Sequence, residues 1–107
     1  MRLRLLSLAE ADLLAGFRFY ERQSPGVGSY FLETLYSDIE SLHLYAGIHR
    51  RVFGYHRLLS KRFPFGVYYD MDEEEIRVWR VLDCRRDPQW IRSELKKGRT
   101  RRSTERG

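Results

Sequence analysis

The chain has 107 residues, of which 42% are hydrophobic and 33% are charged, and its formal net charge is +5. This length predicts one domain, the composition excludes a disordered chain, and no apolar run approaches the ~18 residues of a membrane-spanning helix. The N-terminus lacks the features of a signal peptide, and the single cysteine, Cys84, cannot form an internal disulfide, so we expect a cytoplasmic protein.

The first half of the sequence predicts one strand and two helices. Arg2–Leu6 alternates leucine with arginine, as a short strand does. Apolar residues at helical spacing then predict a helix from Ser7 to about Gln23, and a second one that starts at Ser24-Pro25 and ends near Gly47. The inward-facing stripes are Ala9, Leu13, Gly16, Phe17 and Tyr20 on the first helix and Phe31, Leu35, Ile39 and Leu42 on the second. Helices joined by so short a link must form an antiparallel hairpin.

After Gly47 the period of the apolar residues falls to two. Strands are predicted at Val52–Leu59, Phe65–Met71 and Ile76–Leu82, with an acidic, solvated turn over residues 70–75. Asp87-Pro88 ends the last strand, and a short C-terminal helix follows. The predicted fold is α+β, in the order β-α-α-β-β-β, with the helical hairpin packed on one face of a four-stranded, mainly antiparallel sheet.

The basic charge lies in the last residues of the chain. Residues 96–107 contain six Lys or Arg and one Glu, and no apolar side chain that could join a core. We therefore expect the domain to span residues 1–95 and to be followed by a basic, disordered tail. Such a tail either binds nucleic acid non-specifically or only improves solubility.

Three stretches of the domain resemble the RelE/ParE superfamily of toxins from bacterial type II toxin–antitoxin systems. The resemblance is closer to the ParE-like members of that superfamily. They are Ala9-x-x-Asp12-Leu13 with Phe19-Tyr20-Glu21 and Gly28-x-x-Phe31; Tyr55-His56-Arg57-Leu58-Leu59 with Arg62-Phe63-Pro64-Phe65-Gly66-Val67-Tyr68-Tyr69; and Val81-Leu82-Asp83-Cys84-Arg85-Arg86-Asp87-Pro88 followed by Trp90. The resemblance covers residues 1–95. One departure is Asp83, where many relatives carry histidine.

The resemblance implies a growth-inhibiting toxin that a small antitoxin neutralises. ParE-like toxins block DNA gyrase, whereas RelE-like toxins cut mRNA on the ribosome, and the fold does not decide between these activities. A module of another class, which binds nucleic acid through the tail and the arginines, is also compatible with the sequence.

A nuclease would need a general base or acid and cations that stabilise the charged transition state. The candidates are His56, Arg57, Arg62 and Arg86. Because neighbouring residues of a strand face opposite ways, His56 and Arg57 cannot both serve one site. The nucleases of this superfamily also tend to end in a catalytic aromatic or histidine, whereas residues 90–95 here contain neither His nor Tyr. We therefore favour inhibition by binding, assign no catalytic residue, and expect no cofactor or metal site.

Two sets of residues are candidates for contacts with partners. Target contact is predicted for Arg62, Arg85, Arg86 and Trp90. Arg62 and Arg86 flank strands that run in opposite directions, so both are expected at one end of the sheet, with Asp83 orienting Arg86; an ion pair of Arg86 with Asp83 or Asp87 is the alternative. Antitoxin contact is predicted for apolar residues that fall off the two core stripes of the helical hairpin, namely Leu8, Leu14, Phe19, Tyr30 and Tyr36.

Overall fold

The computed structural model describes the backbone of residues 1–106 and the side chains of residues 1–98. The elements in chain order are β1 (Arg2–Leu5), α1 (Ser7–Gln23), α2 (Val27–Glu40), α3 (Leu42–Tyr45), β2 (Arg51–Val52), β3 (Tyr55–Leu59), β4 (Phe65–Met71), β5 (Glu75–Asp83) and α4 (Pro88–Arg106). The strands form one sheet in the order β1-β5-β4-β3-β2. Only β1 is parallel to its neighbour, β5.

The predicted α+β fold is confirmed, but the sheet has five strands instead of four. The segment predicted as one strand divides at Phe53 and Gly54, whose φ angles are +53° and +88°. These angles reverse the chain, so that Arg51 pairs with His56. Positive φ is uncommon for phenylalanine, and the sequence therefore gave little sign of this turn.

Three helix boundaries differ from the prediction. The second helix ends at Glu40 and is followed by the separate helix α3, instead of continuing to near Gly47. The second helix begins at Val27 because Gly26 has a φ of +90°, and the carboxylate of Glu21 accepts hydrogen bonds from the N–H groups of Gly26 and Gly28, the latter at 2.9 Å. The first helix thus caps the second. The last helix is longer than predicted and continues through Arg106, while the side chains of residues 99–107 and the role of this basic segment lie outside the described part.

The sheet carries a hydrophobic core on each face. The helical hairpin covers one face, where all nine residues of its two predicted stripes are buried or half-buried. The α4 helix covers the other face with Ile91 and Leu95. Tyr69 lies in the first core and Tyr68 in the second, and both are completely buried. Within the described residues, no helix is both long and apolar enough to cross a membrane.

A buried arginine ties the three layers together. Arg80 on β5 is 5% exposed, and its Nε–H and Nη2–H donate to the carboxylate of Asp12 on α1 at 2.7 and 2.8 Å. Its other donors reach the carbonyl oxygen and the carboxylate of Glu94 on α4, at 2.7 and 3.1 Å. The Asp12 carboxylate also accepts the backbone N–H of Val81. Buried charges need such pairing, and this guanidinium has it on both sides.

The two helices of the hairpin approach closely at Gly16. A Cβ atom at this position would lie 2.5 Å from the ring of Phe31 on α2. That ring is fixed by aromatic neighbours: Tyr20 stacks on it at 5.2 Å between centroids, and Phe63 and Phe65 meet it edge to face at 5.1 and 5.0 Å. These contacts also hold the β3–β4 loop against the hairpin.

We expect Gly16→Ala to lower the free energy of unfolding by about 1–3 kcal/mol, because the ring of Phe31 cannot move away from the added methyl group. The higher helix propensity of alanine, about 1 kcal/mol, offsets only part of this loss. Urea unfolding would measure it. Gly98→Ala is the matched control, since a Cβ there lies 3.7 Å from its nearest neighbours and should leave stability unchanged or raised. Equal effects of both substitutions would contradict the explanation.

Candidate functional site

The turn after β5 presents an arginine stacked on an indole ring. Asp87 caps α4, because its carboxylate accepts the N–H of Gln89 at 2.7 Å, and Pro88 is the first helical residue. The first turn of α4 places Trp90 against Arg86, whose guanidinium carbon lies 3.9 Å from the centroid of the Trp90 ring. Arg86 forms no ion pair with any described residue, so its role differs from the predicted alternative of an ion pair with Asp83 or Asp87. The stacking fixes the cation and leaves it open to a ligand.

Asp83 orients Arg85, which corrects the expected pairing with Arg86. Its carboxylate accepts two guanidinium hydrogen bonds from Arg85, at 3.1 and 2.8 Å, and the backbone N–H of Arg85 at 2.9 Å. The hydrogen bonds from the Arg85 side chain lower the pKa of Asp83 below its usual range. The Asp83 carboxylate is therefore hydrogen-bonded by Arg85, whereas Arg86 acts on it only through its charge and forms no ion pair with it.

Arg62 shares the same end of the sheet but faces another way. The N–H of Cys84 donates to the carbonyl of Pro64 at 2.8 Å, so the two chain segments are neighbours. The Arg62 side chain, however, donates to the hydroxyl of Tyr30 at 2.9 Å. Arg62 and Arg86 therefore lie at the same end of the sheet, as expected, but line separate cavities.

A groove runs between α1 and α4 beside the open edge of β5, and we call it the α1–α4 groove. Its volume is about 440 Å³. The Arg80 ion pairs form its floor, and Phe19, Phe65, Trp90 and Arg86 line its sides. The strand edge is open here because β1 ends at Leu5, whose pairing partner on β5 is Val78. The groove thus joins an apolar wall to a fixed, unpaired cation.

Four of the five residues predicted to bind an antitoxin are exposed. Leu14 and Phe19 lie on α1, and Tyr30 and Tyr36 on α2, each between 43% and 47% exposed, while Leu8 is only half-buried. A second exposed apolar group, which was not predicted from the sequence, lies on α3 and the loop after it: Leu44, Tyr45 and Ile48. These residues follow the last position of the predicted α2 stripe, where the helical period that marks the core ends.

The four candidate nuclease residues do not converge. His56 stacks on Tyr69 on the hairpin side of the sheet, with ring centroids 5.2 Å apart. Arg57 lies on the opposite face, where its stem packs over Gly66, as strand alternation requires. Arg62 is bound to Tyr30, and Arg86 to Trp90. A general base and its cations are therefore held at four separate places.

His49 and Tyr69 form a partly buried hydrogen-bonded pair next to His56. The Tyr69 hydroxyl accepts the N–H of Gly47 at 2.9 Å and shares a hydrogen bond with Nδ1 of His49. Burial raises the pKa of Tyr69, which keeps the hydroxyl protonated. Burial, together with the neighbouring His56, lowers the pKa of His49. The folded structure thus favours a neutral His49.

We expect the protein to lose stability as the pH falls below about 6.5, the pKa of histidine in the unfolded chain. Below that value the unfolded state takes up a proton that the folded state resists, and the loss levels off below the lowered folded pKa. Urea midpoints between pH 8 and pH 5 would measure it. His49→Gln should flatten this part of the profile, and His43→Gln, at an exposed position, should not. An unchanged slope in His49→Gln would contradict the assignment.

Comparisons with known proteins agree with the architecture. The family model described as "ParE toxin of type II toxin-antitoxin system, parDE" matches residues 3–88. A solved structure titled "Chromosomal ParDE TA system from P. aeruginosa" is 26% identical, covers 76% of this chain and 92% of its own, and superposes with a TM-score of 0.69. A search of curated proteins found no match. The chain belongs to the ParE toxin family of type II toxin–antitoxin systems.

Proposed function

We propose that this chain inhibits growth by binding a protein target, DNA gyrase, and that an antitoxin neutralises it by covering the same surface. The observation that carries the proposal is the α1–α4 groove. Phe19, from the predicted antitoxin surface, and Arg86 with Trp90, from the predicted target contact, line this one cavity. A partner bound along Phe19 would therefore exclude a second partner from Arg86.

The chemistry of the groove favours a protein ligand. Arginine and tryptophan are the side chains that most often dominate the energy of protein interfaces, and stacking reduces the entropy that Arg86 loses on binding. The nearby Asp83 carboxylate would oppose the negative charge that develops when RNA is cleaved, whereas a protein contact along the apolar wall depends less on an anion at Arg86. Together with the similarity to a structure titled as a ParDE system, this supports a toxin that has an antitoxin partner.

Two other functions would require different features of the structure. An mRNA endonuclease would have to bring together His56 and arginines that the structure holds apart. A nucleic-acid-binding module would depend on the basic segment 96–107, which carries the whole net charge. Deleting that segment separates the second alternative from the proposal, because inhibition by the folded groove should survive the deletion.

Expression of the chain in bacterial cells should stop growth and relax or cleave DNA while mRNA stays intact. Arg86→Ala and Trp90→Ala should each weaken growth inhibition at least tenfold, since each removes one half of the stacked pair. Growth curves, plasmid supercoiling and mRNA integrity would be followed together. Arg50→Ala, an exposed arginine after α3, is the matched control. Rapid mRNA cleavage that His56→Ala abolishes would overturn the binding proposal.

The product of the reading frame beside the gene should co-purify with this chain and restore growth. Leu14→Asp and Phe19→Asp should abolish both effects, because a carboxylate in the contact would lie unpaired against apolar surface. Pull-down yield and binding calorimetry would measure the loss. Leu44→Asp introduces the same charge at an exposed position away from this surface and should bind normally. Unchanged binding by Phe19→Asp would place the antitoxin elsewhere.

A further inference from the structure

A second cavity lies between α2 and the loop that joins β3 to β4. Its volume is about 480 Å³, and we call it the α2–loop cavity. Three hydroxyl-bearing residues of α2 and its end line one side, namely Thr34, Ser37 and Ser41, and Lys61 and Arg62 line the rim on the loop. Apart from Tyr30 and Arg62, its residues take no part in the α1–α4 groove or in the surfaces assigned above.

A nearly buried carboxylate lies at the bottom of this cavity. Asp38 is 5% exposed, and its Oδ2 accepts a hydrogen bond from the hydroxyl of Ser60 at 2.7 Å. It forms no ion pair with any described residue. A carboxylate offers about four acceptor positions, and aspartate is almost never this buried without a charged partner. Asp12, equally part of a helix, has such a partner in Arg80.

The cations of the cavity itself do not supply the missing partner. Arg62 is turned toward Tyr30, to whose hydroxyl it donates at 2.9 Å, and Lys61 is exposed at the rim. A bare metal ion is also a poor match, because the described residues contain no group of three or more His, Cys, Asp or Glu side chains able to hold one. The space is many times the roughly 30 Å³ share of one water molecule.

We propose that Asp38 binds the guanidinium of an arginine side chain from a peptide partner, with the α2 hydroxyls accepting its outer N–H groups. A planar guanidinium pairs with a carboxylate through two parallel hydrogen bonds, which suits this acceptor-rich floor better than an ammonium ion. Lys61 and Arg62 at the rim would meet an acidic residue close to that arginine. The recognised segment therefore carries an arginine beside an acidic residue.

The partner is assigned as the antitoxin, and this part of the inference rests on the proposed function. Tyr30, one of the exposed residues of the predicted antitoxin surface, also lines the α2–loop cavity. A segment that binds at Tyr30 would border the cavity that contains Asp38. The cavity thus extends the apolar surface with one charged, buried contact that would select the partner's sequence.

The test uses the full chain and a small probe. N-acetyl-arginine methylamide, titrated to about 50 mM because one paired contact gives millimolar affinity, should shift the amide resonances of Ser37, Ser41 and Ser60. The citrulline analogue has nearly the same shape without the charge and should shift none of them. Asp38→Asn should weaken arginine binding at least tenfold. Glu40→Gln, which removes an exposed carboxylate of the same helix, should bind as the unaltered chain does.

Equal shifts with arginine and citrulline, or equal affinity in Asp38→Asn, would overturn the inference. So would the absence of any shift in the unaltered chain, which is the result expected if Lys61 itself fills the cavity. The arginine–citrulline comparison needs no substitution and therefore decides the matter even if Asp38→Asn fails to fold. If arginine does not bind but growth inhibition and neutralisation are intact, only the arginine site is disproved. If the chain binds arginine but does not inhibit growth, only the proposed function is disproved.

Discussion

The structure depends on the pairing of Arg80 between two helices. Because β1 ends where α1 begins, the edge of β5 beyond Val78 has no neighbouring strand, and Asp12 from α1 accepts both the Arg80 guanidinium and the N–H of Val81. Glu94 then binds the same guanidinium from α4. Removing one partner of such a buried pair typically costs about 3–5 kcal/mol. This triad also sets the separation of α1 and α4, and hence the width of the groove above it.

The order of the elements was predictable because the apolar period reports local structure directly. The change of period near Gly47 marks the end of the helical hairpin, and the residues of the two stripes do lie inward. The turn at Phe53 was not predictable, since phenylalanine rarely adopts a positive φ. The acidic turn is exposed at residues 72–74, as predicted, but the sequence did not indicate that Asp70 and Asp72 both bind the buried guanidinium of Arg77 across the hairpin.

The candidate site was predictable at the level of the backbone but not of the side chains. An arginine before Asp-Pro does lie at the end of the sheet, since Asp87 caps a helix that Pro88 begins. Which arginine stays unpaired depends on side-chain conformation within the turn after β5, which the sequence pattern does not report: Asp83 binds Arg85, and Trp90 stacks on Arg86. The pairing of Arg80 was not predictable either, because the alternation of residues along β5 does not indicate that Glu94 of α4 lies beside it. The sequence pattern therefore predicts the path of the backbone. Which of several similar charged side chains forms an ion pair depends on side-chain packing, which the pattern does not report.

Charge is distributed unevenly along the chain, so that close-range contacts and long-range electrostatic attraction come from different parts of the molecule. Residues 1–95 contain fourteen basic and fourteen acidic residues, so the folded domain exerts little net field beyond a Debye length of about 8 Å. Contacts in the groove must then come from shape, apolar area and the single unmatched cation of Arg86. The segment 96–107 carries the entire excess of positive charge, which under the proposed function would speed encounters with a DNA-bound target without adding specificity. On that proposal, the neutral domain would recognise the target and the basic segment would attract it, and an antitoxin in the groove would compete only with recognition.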